Sequence, residues 1–191
     1  YMAAVGAGDM ETAQRMVDEA AKAVGYEHRR YHGYTKARQQ DRAPTGTYPP
    51  TVLSESNEPG RIFTTSNEVF AEVFGGKSFP TEAGWRKFTR EPLTRADVTP
   101  ADYHIDGGVL NLFVQMRNPI VVKDIEARHK LPNIKTLKDQ GYDAIEVPGI
   151  ESVLFSPNQI KSADPVTRDA EGNVIPLSQR FNPQADSILY S

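Results

Sequence analysis

The chain has 191 residues, 38% of them hydrophobic and 25% charged, and a net charge of −3. That length suits one domain with a real core, and the near-neutral balance supplies no global basic field to draw it onto nucleic acid. Cysteine is absent, which excludes disulfides, zinc–thiolate sites and thiol nucleophiles. No apolar run approaches the length of a membrane span, so no membrane partner is expected. Tyr1 precedes Met2, which reads as a piece of a longer protein.

Residues 9–24 are predicted to be helical. Asp9 can cap the start, Met10, Ala13, Met16, Val17, Ala20, Ala21 and Val24 recur at helical spacing, and Gly25 can end the run. Residues 27–34 read as a first strand. Residues 35–60 are polar and contain Pro44, Pro49, Pro50 and Pro59, which predicts a long loop. A short strand at 61–65 should lead into a helix at 66–75, capped by Ser66 or Asn67, with Val69, Phe70, Val73 and Phe74 on one face. Residues 76–107 are mixed, with a short helix near 81–90.

A strand follows at 109–116. Asn118-Pro119 should break it, with 120–122 continuing it as a second short run. A helix at 133–140 closes at Gly141, and strands at 142–147 and 151–155 are joined through Pro148-Gly149. Glu171-Gly172-Asn173 reads as a turn. Short strands outnumber helices, so the expected class is α+β. The chain divides into an N-terminal helix at 1–26 and one domain at 27–191.

Taken singly, the chemistry-bearing residues are ambiguous. His32 fits a core histidine as well as a ligand. Phe63 and Phe74 fit core packing, and Ser66 fits a helix cap. Glu151 at a strand start fits a solvated edge carboxylate. Asp143 and Glu146 read as a turn residue and a sheet-edge residue. Trp85, Arg86, Lys87 and Arg90 form either an ordinary amphipathic face or a target-contact face. His28, His32, His104 and His129 show no ligand spacing, so no metal is expected.

The order of segments is more informative. Tyr31-His32-Gly33-Tyr34 comes first. Ile62-Phe63-Thr64-Thr65-Ser66 follows, running into Ala71-Glu72-Val73-Phe74, and Glu151-Ser152-Val153-Leu154-Phe155 comes last. Between and after them stand Asn118-Pro119, Gly141-Tyr142-Asp143, the run from Pro157 to Ala163, Phe181-Asn182-Pro183 and Ile188-Leu189-Tyr190-Ser191. This set resembles the ADP-ribosyltransferase superfamily of the His-Tyr-Glu type, which includes diphtheria-like toxins and poly-ADP-ribose polymerases. Within it, the set is similar to the subgroup found in phage polyvalent proteins.

The resemblance implies a split β-sandwich of two small sheets around an NAD cleft. It also implies an enzyme that cleaves the nicotinamide–ribose bond of NAD, used as substrate, and transfers ADP-ribose to a protein or nucleic-acid acceptor. Two alternatives stay open: an NAD glycohydrolase, with water as acceptor, and a silent module that binds NAD or a partner. By resemblance, His32 binds the adenosine ribose and the Gly33 backbone meets the nicotinamide amide. Tyr34 stands where a smaller hydroxyl residue is usual.

Phe63 and Phe74 lie eleven residues apart, where the family often has two tyrosines that sandwich the nicotinamide; Ile62 is an alternative register. Thr64, Thr65 and Ser66 are expected to shape the pocket and buttress Glu151. Among Arg29, Arg30, Lys36, Arg38, Arg42 and Arg61, one or two are expected to hold the pyrophosphate. Glu151 is the expected catalytic residue. Losing nicotinamide develops oxocarbenium-like charge on the ribose, and a carboxylate on the 2′-hydroxyl stabilises that state more than neutral substrate. Arginine-modifying relatives carry Glu or Gln two residues before the catalytic glutamate. Gly149 stands there, so arginine is not the expected acceptor. The expected setting is a monomeric effector or toxin in a cytoplasm, that of a host cell after phage delivery or secretion.

Overall fold

A computed structural model describes residues 1–35, 61–101 and 107–189. The expected loop at 36–60, with Lys36, Arg38 and Arg42, lies outside the described residues, as does His104. The described residues form a mixed α+β fold with three small sheets.

A short helix α1 (Met2–Gly6) precedes α2 (Met10–Ala23). The Asp9 side chain accepts the Thr12 N–H at 3.0 Å, and Ala13, Val17 and Ala21 form the buried stripe of α2. Strands β1 (His28–Thr35), β5 (Gly107–Val114) and β9 (Ile160–Ser162) make one antiparallel sheet in the order β1-β5-β9. A second sheet runs β2 (Ile62–Thr64), β8 (Glu151–Leu154), β7 (Ala144–Val147), β6 (Pro119–Val121). A two-stranded piece, β3 (Ser78–Pro80) with β4 (Val98–Pro100), was not foreseen in the mixed stretch. The other helices are α3 (Glu68–Phe74), α4 (Glu82–Lys87), α5 (Ile125–His129) and α6 (Ile134–Asp139).

The sheets stack through alternation of their side chains. Ile62, Leu112, Val114, Leu154 and Ile160 fill the space between them. Phe113, on the opposite face of β5, packs with Val17 and Ala21 of α2. Val153, on the opposite face of β8, packs with Ile134 and Leu137 of α6. One expectation needs correction. The run after Asn118-Pro119 does not continue β5; it crosses to the second sheet and pairs parallel with β7. Asp143 fixes that crossing by accepting the Arg117 and Asn118 N–H groups at 2.6 and 2.9 Å.

The run from Pro157 to Ala163 is a clasp. The Gln159 amide oxygen takes the Phe155 and Ser156 N–H groups at 3.0 and 2.9 Å, and its nitrogen donates to the Gln115 and Asp143 carbonyls. Lys161 is fully buried and donates to the Ala185 and Ser187 carbonyls at 2.7 Å each. Lys161→Met should destabilise the protein by about 1–3 kcal/mol, because those carbonyls lose their donor. Burial pushes the Lys161 amine down to about 8, from 10.5. Between those values the unfolded chain holds the proton and the folded chain releases it, so stability rises with pH across that window. The gap in melting temperature between wild type and Lys161→Met should therefore widen from about pH 7 to about pH 9.5. A constant gap would show that Lys161 titrates normally.

Candidate functional site

The three motif segments meet on adjacent strands. Tyr31 of β1 and Thr65 exchange backbone hydrogen bonds at 2.7 and 2.9 Å, and β2 pairs with β8 so that Thr64 faces Ser152. Among the described residues it is the one backbone bridge between the two sheets. Backbone groups alternate along a strand, so Gly33 aims its N–H and C=O at the same edge as Tyr31. Among the described residues, no backbone hydrogen bond from β2 reaches them. Among the described residues, this main-chain donor and acceptor thus lie open where the sheets part.

Gly33 also accepts a close neighbour. A Cβ on it would stand 2.0 Å from the Ala71 carbonyl oxygen, 2.6 Å from the Gly75 nitrogen and 2.9 Å from the Phe74 Cβ. The requirement is for space, since Gly33 is not among the glycines with positive φ. Helix α3 therefore uses the face of Gly33, and only its edge is left for a ligand. The register of the Tyr31–Thr65 bridge brings Phe63 to the other side of Gly33. Phe74 touches this glycine, while the rings of the two phenylalanines belong to different clusters. Phe63 packs beside Ile134 and Val153, whereas Phe74 contacts Phe70 and Phe88 at ring distances of 5.2 and 5.8 Å.

The His32 Nδ1 lies 2.7 Å from the Phe63 carbonyl oxygen. A carbonyl only accepts, so Nδ1 carries the proton and Nε2 is left as an acceptor. Burial favours the neutral ring and pushes the His32 pKa down, partly offset by the bond to Phe63. Tyr34 lies over β5: a Cβ on Gly108 would stand 2.7 Å from its hydroxyl oxygen. Burial pushes the Tyr34 phenol up, and Asp164 adds to the shift.

Glu151 opens β8 directly after a tight turn in which Gly149 has φ +74°, a left-handed value that suits glycine. Glu151 is only 8% exposed, so it is not a solvated edge residue. Its ion partner is Arg128 of α5, with Nε 2.5 Å from Oε1. Burial raises the Glu151 pKa, and Arg128 and then Arg61 oppose the shift. Arg128 is itself 4% exposed; its guanidinium lies over the Phe63 ring, 5.3 Å from the centroid, and its Nη2 donates to His129 Nε2 at 2.9 Å. Sequence reasoning missed this arginine because it missed α5. The available signal was Asp124, whose side chain caps the helix at the Ala127 N–H.

The expected hydroxyl buttress takes a different form. Thr64 donates to the Ser152 carbonyl at 3.4 Å, Thr65 accepts the Asn67 N–H at 2.9 Å, and Ser66 is exposed. Asn67, not Ser66, caps α3, accepting the Phe70 N–H at 3.1 Å. Behind Glu151, on the other face of β8, Ser152 donates to Glu146. Arg30 binds both, at 2.8 Å to the serine and 3.0 Å to the carboxylate. Glu146 is therefore an inter-sheet anchor rather than an edge residue, and Arg30 is committed to it. Arg29 pairs with Asp18 at 2.5 Å. Of the described arginines in the expected anion-holding set, Arg61 is the one near Glu151.

Trp85 is 60% exposed against Phe88, while Arg86 pairs with Glu82 and Lys87 with Asp97. Among the described residues, no group of three or more His, Cys, Asp or Glu side chains is arranged to hold a metal ion. None of the described helices is long and apolar enough to cross a membrane. Comparisons with protein-family models, curated proteins and solved structures returned no match.

Proposed function

We propose that the protein binds NAD as a substrate where β1 and β2 part, cleaves its nicotinamide–ribose bond and passes ADP-ribose to a macromolecular acceptor. One observation carries this reading. His32, Phe63 and Glu151, distant in sequence, converge on neighbouring strands beside the open backbone edge of Gly33. An amide needs one acceptor and one donor in line, and that edge offers both to the carboxamide of nicotinamide. Phe63 on the neighbouring strand and Phe74 beside Gly33 are the aromatic residues that this reading assigns to the nicotinamide ring. The His32 Nε2, left as an acceptor by the Phe63 bond, accepts from a ribose hydroxyl.

In the chemical step the C1′–N bond breaks and its electron pair leaves with nicotinamide, which departs neutral and needs no general acid. Glu151 takes a hydrogen bond from the 2′-hydroxyl and offsets the positive charge on the ribose. The acceptor then bonds to C1′ and releases its proton to solvent. Water in that role makes the protein an NAD glycohydrolase with the same residues. A binding-only reading is favoured by one fact, the neutralisation of Glu151 by Arg128. A cytoplasm, including that of an invaded host, supplies the NAD this reading requires.

NAD binding is tested by heat. Saturating NAD should raise the melting temperature of the wild type by mass action, and His32→Ala should lose most of the rise. A full shift in folded His32→Ala would remove His32 from the site. Phe63→Ala should weaken NAD binding by about 1–3 kcal/mol through lost stacking and burial, measured by calorimetry on protein shown to be folded.

A further inference from the structure

We infer that the space between the Phe63 ring and the Glu151 carboxylate is a site for a planar cation, filled by the Arg128 guanidinium until the pyridinium ring of a substrate displaces it. The identity of the displacing ring rests on the NAD reading; the cation site itself does not. Guanidinium is a flat, delocalised cation that lies on aromatic faces and pairs with carboxylates. Arg128 makes both contacts at once, over Phe63 and against Glu151. Oxidised nicotinamide attached to ribose is also a flat, delocalised cation, and it seeks the same two surfaces.

The ion pair is not an optimised structural bridge. Glu151 Oε1 is buried and lacks a well-aligned hydrogen bond, even with Arg128 Nε 2.5 Å away. A buried carboxylate left so poorly satisfied is receptive to a better partner. Arg128 also has a second anchor outside the pair, since His129 accepts from its Nη2. Among the described residues, the cations that act on Glu151 are Arg128 from α5 and Arg61 ahead of β2. When Arg128 leaves, Arg61 still lies near the carboxylate.

Catalysis requires the exchange. A carboxylate neutralised by an arginine has little attraction left for positive charge developing on a ribose. Arg128 therefore sets a threshold: only a ligand that replaces both of its contacts frees Glu151.

The test uses Arg128→Ala and the milder Arg128→Gln, with 1-methylnicotinamide and methylguanidinium as probes. Calorimetry should show 1-methylnicotinamide binding at least about tenfold more tightly to either variant than to wild type. Methylguanidinium should compete for the same site, and Glu151→Gln added to Arg128→Ala should abolish both. With NAD, the variants should show a lower KM without a fall in kcat. Equal probe affinities in wild type and folded variants overturn the inference. So does failure of both variants to fold even with methylguanidinium, which makes Arg128 a structural partner alone. If the probes bind as expected but no form of the protein releases nicotinamide from NAD, the cation site stands and the catalytic reading falls. If NAD is cleaved while the probes ignore Arg128, the reverse holds.

Discussion

Glu151→Gln should cut nicotinamide release by at least two orders of magnitude while leaving NAD affinity near its wild-type value. The substitution keeps the size of the side chain and most of its hydrogen bonding, and removes the charge. Bound NAD carries no oxocarbenium character at its ribose, and the attraction lost at its pyridinium is offset because Arg128 is no longer held in its place, so the ground state loses little. The transition state loses its electrostatic partner, about 2.7–4 kcal/mol if the loss resembles removal of one preorganised stabilising group. Arg128 is left buried without its counterion, so stability must be measured alongside turnover. Equal turnover by wild type and variant would remove Glu151 from the chemistry. If the wild type releases nothing yet binds NAD, host extract separates the remaining readings: a transferase lacking its acceptor becomes active, and a silent module does not.

Gly33→Ala should produce the largest loss of stability of any single methyl addition on β1. The added carbon would meet the Ala71 carbonyl oxygen and the Gly75 nitrogen, both main-chain atoms. A flexible side chain can turn aside from such a contact; a helix must shift as a body. Overpacking of this kind destabilises by about 1–3 kcal/mol or more. For a chain of this size that is roughly 2–4 °C of melting temperature per kcal/mol. Moving α3 also moves Phe74, so NAD affinity should fall even in protein that still folds. An unchanged melting temperature would mean that α3 does not rest on β1.

Much of this was legible in the sequence where one residue decides one local event. Asp9 caps α2, and Gly141, just after α6, takes a left-handed conformation. The hairpin through Pro148-Gly149 is present, and β7 pairs with β8. The α+β class followed from those elements. What stayed hidden depends on partners far along the chain. Nothing in Asn118-Pro119 says that the next strand changes sheets, because that is settled by Asp143 and by pairing with β7. Glu146 looks like an edge residue until Arg30 arrives from β1. Glu151 and Arg128 sit on different elements, and no periodicity links them. The run from Pro157 to Ala163 stood out as a motif, but its bonds go to main-chain groups of other segments, which a pattern of residue types cannot reveal.

The packing of Ile188 bears on the order in which the protein folds. Ile188 is 2% exposed and lies among Ile62, Leu112 and Leu154, and its carbonyl accepts the Ser162 N–H at 2.6 Å. The interior between the two sheets is therefore completed by side chains that stand far apart in sequence. Bringing such distant segments together closes a long loop before the contacts repay it, so this interior forms late in folding. The site on β1, β2 and β8 is built on those sheets and takes its final shape only then.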